Sequence, residues 1–310
     1  MRGVRVTEDG VQVADLPAPD PGPDDVVVKV AAAGICGSDL HLVSWGPLPV
    51  TLGHEVSGWL ADGTPVAIEP VRWCGTCDRC LAGDTQLCPT ATTIGISSDG
   101  GMADEVLVGP ECVVPLPAGL DVLDAGLVEP VACAVHAMAR ARVEPGMRVA
   151  VVGGGTLGVA AVAAATHLGC EVGVVSRHPH QGAAAEAVGG RPAEGHYDVV
   201  IEAAGTSSAF ATACDLARAR GTIALLGTYW EDLTAPGIPL TIKELDVVAC
   251  YGYGHHSGRR EVEDAAALLA AVPGLAPALV THRFGIDEAP EAFRVAADRA
   301  SGAIKVVLQP

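Results

Sequence analysis

Between residues 1 and 130, apolar positions come in short runs broken by Gly and Pro, such as VVVKV at 26–30 and EVLV at 105–108. That pattern predicts short β-segments joined by tight turns. From about Gly146 the texture changes. RVAVV at 148–152 is a continuous apolar run, followed by a glycine-rich turn and an Ala-rich stretch at 157–168. Further apolar runs at 171–175, 198–201 and 222–226 alternate with stretches suited to helices, such as 207–219. Strands apolar on both faces and alternating with helices predict a parallel, doubly wound α/β sheet. The chain then returns to a mixed pattern, with helices expected at 261–271 and 287–298 and a strand at 304–308. The expected division is a mostly β domain over 1–130, rejoined by 255–310, and an α/β domain over 131–254.

Composition narrows the partners. With 19 basic against 37 acidic residues the net charge is −18, which repels phosphate backbones and anionic membranes. Nearly half the residues are hydrophobic (49%), so the chain reads as globular. No apolar segment follows the arginines of MRGVRVTEDG, and no apolar run is long enough to cross a bilayer. A soluble, cytoplasmic protein is expected. In a reducing compartment the ten cysteines call for an explanation other than disulfides.

Gly153-Gly154-Gly155-Thr156-Leu157-Gly158 fits G-x-G-x-x-G between a predicted strand and a predicted helix. The first glycine of such a turn permits the tight bend, and the second lets a pyrophosphate approach the backbone. The third lets helix and strand pack closely, and the helix N-terminus favours the phosphate charge. A dinucleotide site of the Rossmann type is expected at Gly153, Gly155, Thr156, Leu157 and Gly158, against the alternative of a plain strand–helix turn. NAD-selective sites place Asp or Glu at the end of the second strand to hold the ribose 2′-hydroxyl. Here 174–180 reads VVSRHPH, without a carboxylate. Ser176 tolerates a 2′-phosphate and Arg177 can pair with it, so NADP(H) is favoured over NAD(H). The alternative is that Arg177 and the two histidines form an ordinary solvated loop.

The densest chemistry is WCGTCDRCLAGDTQLC at 73–88, which spaces Cys74, Cys77, Cys80 and Cys88 as C-x2-C-x2-C-x7-C. Four thiolates complete the tetrahedral shell of zinc and leave no position for a substrate. A structural zinc is expected; a redox pair or an iron–sulfur cluster are the alternatives.

Sparser motifs stand elsewhere: GICGSDLH at 34–41, GHE at 53–55, VEPVACAVHA at 128–137, DVVIEAAG at 198–205 and GAIKVVLQP at 302–310. Each is ambiguous alone, since a lone Cys is more often a small core residue than a ligand. Together, and in this order, they resemble the zinc-dependent alcohol dehydrogenases of the medium-chain dehydrogenase/reductase family. The VEP segment is similar to the polyol branch, which includes sorbitol and threonine dehydrogenase-like enzymes. The resemblance implies a GroES-like catalytic domain carrying a structural zinc lobe, beside the Rossmann domain. It implies a catalytic zinc on Cys36 and His54, with Glu129 at the third position, directly or through water. Glu55 is expected beside the metal, exchanging with water or substrate, and Asp39 on the second ring nitrogen of His54. By the same resemblance Ser38 accepts the alcohol proton, His41 relays it at the surface, and Lys305 reaches the cofactor pyrophosphate. Read from the residues alone, Ser38 is a turn hydroxyl, His41 an exposed turn histidine and Lys305 a solvated strand lysine.

The implied activity is hydride transfer between a secondary alcohol, of polyol, sugar or cyclitol type, and NADP(H). Two zinc ions per chain, one catalytic and one structural, and a homodimer or homotetramer go with it. The alternatives are an NAD-dependent enzyme of the same fold, a zinc-free quinone or enoyl reductase, and a non-catalytic NADPH-binding zinc protein. Cys36, His54 and Glu129 together argue against the zinc-free reductase, which has no use for them. Against the family, the chain is short between His41 and His54, between Gly58 and Cys74, and between Gly189 and Asp198. These are loop positions, where shortening is tolerated best.

Overall fold

In the computed structural model, residues 1–256, 258–298 and 300–310 are described. The chain divides into two compact units: Met1–Glu129, Ser257–Ala270 and Val280–Pro310 in the first, Pro130–His256 and Ala271–Leu279 in the second.

The first unit is built on a seven-stranded sheet. Along it lie Val280–Gly285, Lys305–Gln309, Val26–Ile35, Glu55–Trp59, Pro65–Ile68 and Val113–Pro115, with Glu105–Val108 paired to Val26–Ile35 as well. All neighbours run antiparallel except the first two strands. Strands Glu105–Val108 and Val280–Gly285 alternate in burial, while the central strands are buried along most of their length; one core includes Val28, Ile35, Val56, Ile68, Val106 and Leu308, with Phe293 packed on from helix Ala289–Ala297. Each fully buried aliphatic side chain of this kind contributes about 1.5–3 kcal/mol. Arg260 ties its segment into this sheet: the guanidinium pairs with buried Glu69 and donates to the Val113 and Glu111 carbonyls at 3.2 and 2.9 Å.

The second unit carries a six-stranded, all-parallel sheet in the order Arg191–Pro192, Glu171–Val175, Arg148–Val152, Tyr197–Glu202, Ala217–Leu225 and Asp246–Ala249. Numbered in chain order that is 3-2-1-4-5-6, the Rossmann arrangement, whose order reverses beside Arg148–Val152. The fold class expected from the strand–helix alternation is the one observed. Helix Thr156–His167 is buried along Gly158–Ala165, which explains its almost wholly apolar composition.

One helix is clearly shorter than expected. The helical stretch expected over 207–219 stops at Leu216, and a strand begins at Ala217. The Lys243 ammonium, distant in sequence, donates to the carbonyls of Cys214, Asp215 and Ala217, at 2.9 Å each. It satisfies the terminal carbonyls that a longer helix would have used internally.

Candidate active site

Strand register gathers the candidate metal residues. Strand Val26–Ile35 ends one residue before Cys36, which opens helix Gly37–Ser44. In the antiparallel pairing with Glu55–Trp59, Gly34 lies opposite Glu55, so His54 and Glu55 arrive beside Cys36. On the other side, Val306 lies opposite Ile35, which brings Lys305 to the same end of the three strands. Single donor atoms of Cys36, His54 and Glu55 lie within 4.8 Å of one another. Cys36 thus meets the adjacent pair His54 and Glu55 at one largely buried place.

Asp39 links two of them. One carboxylate oxygen accepts the Cys36 N–H at 2.8 Å, and the other faces His54 Nδ1 at 3.5 Å, too long for a good hydrogen bond. Ser38 Oγ stands 3.3 Å from the other ring nitrogen, Nε2. Asp39 Oδ1, His54 Nδ1 and Glu55 Oε2 are buried and take no hydrogen bond. Asp39 Oδ1 and His54 Nδ1 face each other, and Glu55 Oε2 faces the Lys305 ammonium; it is the close grouping of one thiol, one imidazole and one carboxylate that suits zinc. These residues therefore fit the metal that the family resemblance implies.

The electrostatics point the same way. Burial alone would lower the His54 pKa, yet the negative charges of Asp39 and Cys36 hold it well above the ordinary value. Burial raises the Asp39 carboxyl. It pushes the half-buried Glu129 up to about 7, with the charge of His54 opposing and that of Glu55 adding. Glu129, in the first turn of helix Val128–Arg140, stands outside the close trio but inside its field. Of the two residues expected on the proton path, Ser38 is half-buried and His41 exposed, three positions apart on one short helix.

Lys305 requires a correction. It was expected to reach the cofactor pyrophosphate, but it is buried, 2% exposed. Its ammonium lies 2.6 Å from each oxygen of Glu55, donating into Oε1, and donates to the Ile35 carbonyl at 3.0 Å. A lysine engaged in this way has no reach left for a phosphate. Sequence also gave no sign that Gly34 matters to Glu55. A Cβ on Gly34 would fall 2.1 Å from Glu55 Oε2, so only glycine leaves room for the carboxylate there.

The cysteine lobe is compact. Cys77, Cys80, Cys74 and Cys88 sulfurs approach pairwise at 3.5 Å (77–80), 3.7 Å (74–88) and 3.9 Å (74–80). Four sulfurs at ~2.3 Å from a tetrahedral zinc would stand about 3.8 Å apart. Cys77 caps helix Asp78–Ala82, accepting the Cys80 N–H at 3.5 Å. Hydrogen bonds from the Thr76 and Cys77 backbone pull the Cys74 thiol down to about 5, while burial and its neighbours push Cys80 up to about 12. Four thiols so crowded ionise together only around a cation. The set fits zinc, and all ten cysteines are free of disulfides.

In the second unit the glycine turn has the geometry a phosphate needs. Gly153 has φ +112° and packs against the 203–204 backbone; a Cβ on Gly158 would meet the Gly153 carbonyl at 1.8 Å. A Cβ on Gly155 would meet nothing within 4 Å, and Gly155 begins helix Thr156–His167 without a side-chain cap. Leu157 lies in the first turn of that helix. Ser176 follows strand Glu171–Val175, half-buried beside Gly154, and Arg177 is exposed. These features suit a phosphorylated dinucleotide. Sequence reasoning overlooked Glu202, which ends the fourth strand. Its fully buried carboxylate accepts the Ala204 and Gly205 N–H groups at 2.8 and 2.9 Å and the Tyr229 hydroxyl at 2.7 Å. It fixes the loop on which Gly153 rests. A charged residue closing the apolar run DVVI was the signal.

Residues 22–118 match the family model described as "Alcohol dehydrogenase GroES-like domain". Sorbitol dehydrogenase from Halalkalibacterium halodurans is 32% identical over 96% of this chain and 95% of its own length. The chain belongs to the zinc-dependent medium-chain alcohol dehydrogenases. Two solved structures of this kind align over its whole length. A zinc-binding dehydrogenase from Sinorhizobium meliloti 1021, bound to NADP, superimposes with a TM-score of 0.88 at 30% identity, covering 99% of that chain. Galactitol-1-phosphate dehydrogenase from Escherichia coli gives 0.90 at 29% identity, covering 100%. This alcohol dehydrogenase, like its family, is an oxidoreductase, and among the described residues no helix is long and apolar enough to cross a membrane.

Proposed function

We propose that this dehydrogenase moves hydride between a secondary alcohol of polyol, sugar or cyclitol type and NADP(H), at a zinc held by Cys36 and His54 with Glu129 at the third position. The close, buried grouping of Cys36, His54 and Glu55 carries the reading. Zinc bound there would act as a Lewis acid on the alcohol oxygen, making its proton easier to lose. Overall, the alcohol gives a hydride to NADP and a proton to solvent, leaving a ketone. Ser38, beside His54 Nε2, would accept that proton, and His41 would pass it outward. Asp39 orients the His54 ring. A second zinc on Cys74, Cys77, Cys80 and Cys88 would brace its lobe.

The polyol-type substrate rests on the relatives, the sorbitol and galactitol-1-phosphate dehydrogenases among them. NADP rests on Ser176 and Arg177, where no carboxylate meets the ribose, and on the NADP bound by the Sinorhizobium enzyme. We place the enzyme in the cytoplasm, where its free cysteines would stay reduced. A homodimer or homotetramer is in keeping with the outermost strand Asp246–Ala249, near which Ile238, Ile242 and Tyr251 are largely exposed.

A screen of polyols, sugars and cyclitols with both cofactors tests the activity, and Ser176→Asp tests the cofactor. A carboxylate there would repel a 2′-phosphate and accept from a 2′-hydroxyl. The ratio of kcat/KM for NADP over NAD is expected to fall by about 10²-fold, the equivalent of about 2.7 kcal/mol. A wild-type enzyme that already prefers NAD would contradict the assignment.

A further inference from the structure

The second unit buries one acidic side chain among its described residues, Glu202, at the end of strand Tyr197–Glu202. A carboxylate at that depth is costly unless hydrogen bonds compensate it. Here the compensation ties two loops together. Besides the Ala204 and Gly205 N–H groups of its own loop, the carboxylate takes the hydroxyl of Tyr229, which belongs to the loop after strand Ala217–Leu225. The Glu202 carbonyl holds the base of that second loop, accepting the Leu226 and Gly227 N–H groups at 2.8 Å each. The loops meet backbone to backbone. A Cβ on Gly205 would fall 2.3 Å from the Thr228 carbonyl oxygen, and one on Gly227 would fall 2.3 Å from the Gly205 nitrogen. Residues 226–236 form neither helix nor strand; the segment is held down at Tyr229 and at the Thr234 N–H, which donates to Ser207 Oγ at 2.9 Å.

The place of these loops gives the clasp a use. Ligands of an open parallel sheet bind beyond the carboxyl ends of its strands, where the strand order reverses. That reversal lies beside Arg148–Val152, with Glu171–Val175 on one side and Tyr197–Glu202, then Ala217–Leu225, on the other. With a pyrophosphate on the 153–158 turn and the adenosine ribose at Ser176, the other half of a dinucleotide must run the opposite way. Its course crosses loops 203–206 and 226–230. The first of these backs the glycine turn, since a Cβ on Gly153 would meet the 203–204 backbone at 3.1 Å. Ala204, Thr206 and Thr228 are exposed, while Glu202 lies fully buried at the base of both loops. A binding floor already fixed in shape holds its ligand more tightly, because less ordering remains to be done on binding.

We propose, resting on the dinucleotide reading above, that the Tyr229–Glu202 hydrogen bond is a positioning device for the nicotinamide half of the cofactor. It fixes loop 226–230 against loop 203–206 before the cofactor arrives. Tyr229 touches no reacting atom in this account. It acts through the two loops.

Calorimetric titration of the purified, zinc-loaded enzyme with two probes separates this role from a merely structural one. NADPH spans both halves of the site, whereas adenosine 2′,5′-bisphosphate carries only the phosphorylated adenosine end. In Tyr229→Phe the Kd for NADPH is expected to rise at least about tenfold, and that for the bisphosphate less than about twofold. Tyr229→Phe in a Glu202→Gln background leaves no buried charge short of a donor. It should show the same selective loss, and it serves if the single variant does not fold. An enzyme that prefers NADH is tested in the same way with NADH and AMP, so the choice of cofactor and the clasp are judged apart.

An unchanged NADPH affinity in Tyr229→Phe, whatever its melting temperature, would overturn the proposal, since the clasp would then serve stability alone. So would an equal weakening of both probes, because the disturbance would reach the adenosine end. A wild-type enzyme that binds neither NADPH nor NADH would overturn the dinucleotide reading and this inference with it.

Discussion

Replacing Cys36 by Ala is expected to abolish turnover while leaving the fold intact. Cys36 supplies the only thiol of the trio with His54 and Glu55, and it sits at the junction of strand Val26–Ile35 and helix Gly37–Ser44 rather than inside either. Its side chain is half-buried, so truncation to Ala opens little space in the core. The backbone contact that orders the junction, Cys36 N–H to Asp39, survives the change. What is lost is a charged metal ligand. Lewis-acid stabilisation by a metal is worth several kcal/mol, and ~4 kcal/mol is about 10³ in rate. A fall in kcat/KM of at least about 10³-fold, with an unchanged circular dichroism spectrum and melting temperature within a few degrees, is the expected result. Full activity in the variant would exclude Cys36 from the metal site.

Cys80→Ala should fail in the opposite way. Cys80 is the hub of its lobe, with its sulfur 3.5 Å from Cys77 and 3.9 Å from Cys74. The lobe has little else to hold it: helix Asp78–Ala82 has no buried residue, and Leu81 is 75% exposed. A zinc bound by four thiolates contributes ~10–16 kcal/mol of apparent folding energy in small zinc domains, so losing one of four ligands removes at least about 3 kcal/mol. For a domain of this size that is a drop in Tm of about 6–12 °C. Aggregation or a lowered Tm should precede any defect in chemistry, and the surviving soluble fraction should keep its kcat. A variant of normal Tm but lost kcat would move the reaction into the lobe.

How much of this was legible in the sequence depends on how local each feature is. Cys74 to Cys88 and Gly153 to Gly158 are contiguous, so spacing alone reveals that they can share a ligand. The alternation of apolar runs and Ala-rich stretches likewise announces the parallel sheet, because central strands buried on both faces, such as Arg148–Val152 and Tyr197–Glu202, are apolar along most of their length. Cys36, His54 and Glu55 were recognisable only through resemblance. Their meeting depends on an antiparallel register that pairs Gly34 with Glu55, which no local pattern states. Lys305 was misplaced for the same cause. As a strand-edge lysine it reads as solvated, and only the pairing of Val306 with Ile35 reveals that it turns inward onto Glu55. Helix Ser207–Leu216 ended early because Lys243, distant along the chain, takes its last carbonyls.

The central claim is that the chain holds two zinc ions with different duties: a closed one at Cys74, Cys77, Cys80 and Cys88, and a working one at Cys36 and His54. The most direct test is the zinc content of the purified enzyme, measured side by side for wild type and Cys36→Ala. The account predicts two zinc ions per chain in the wild type and one in the variant. A wild type holding one zinc, or a variant that keeps two, would contradict it.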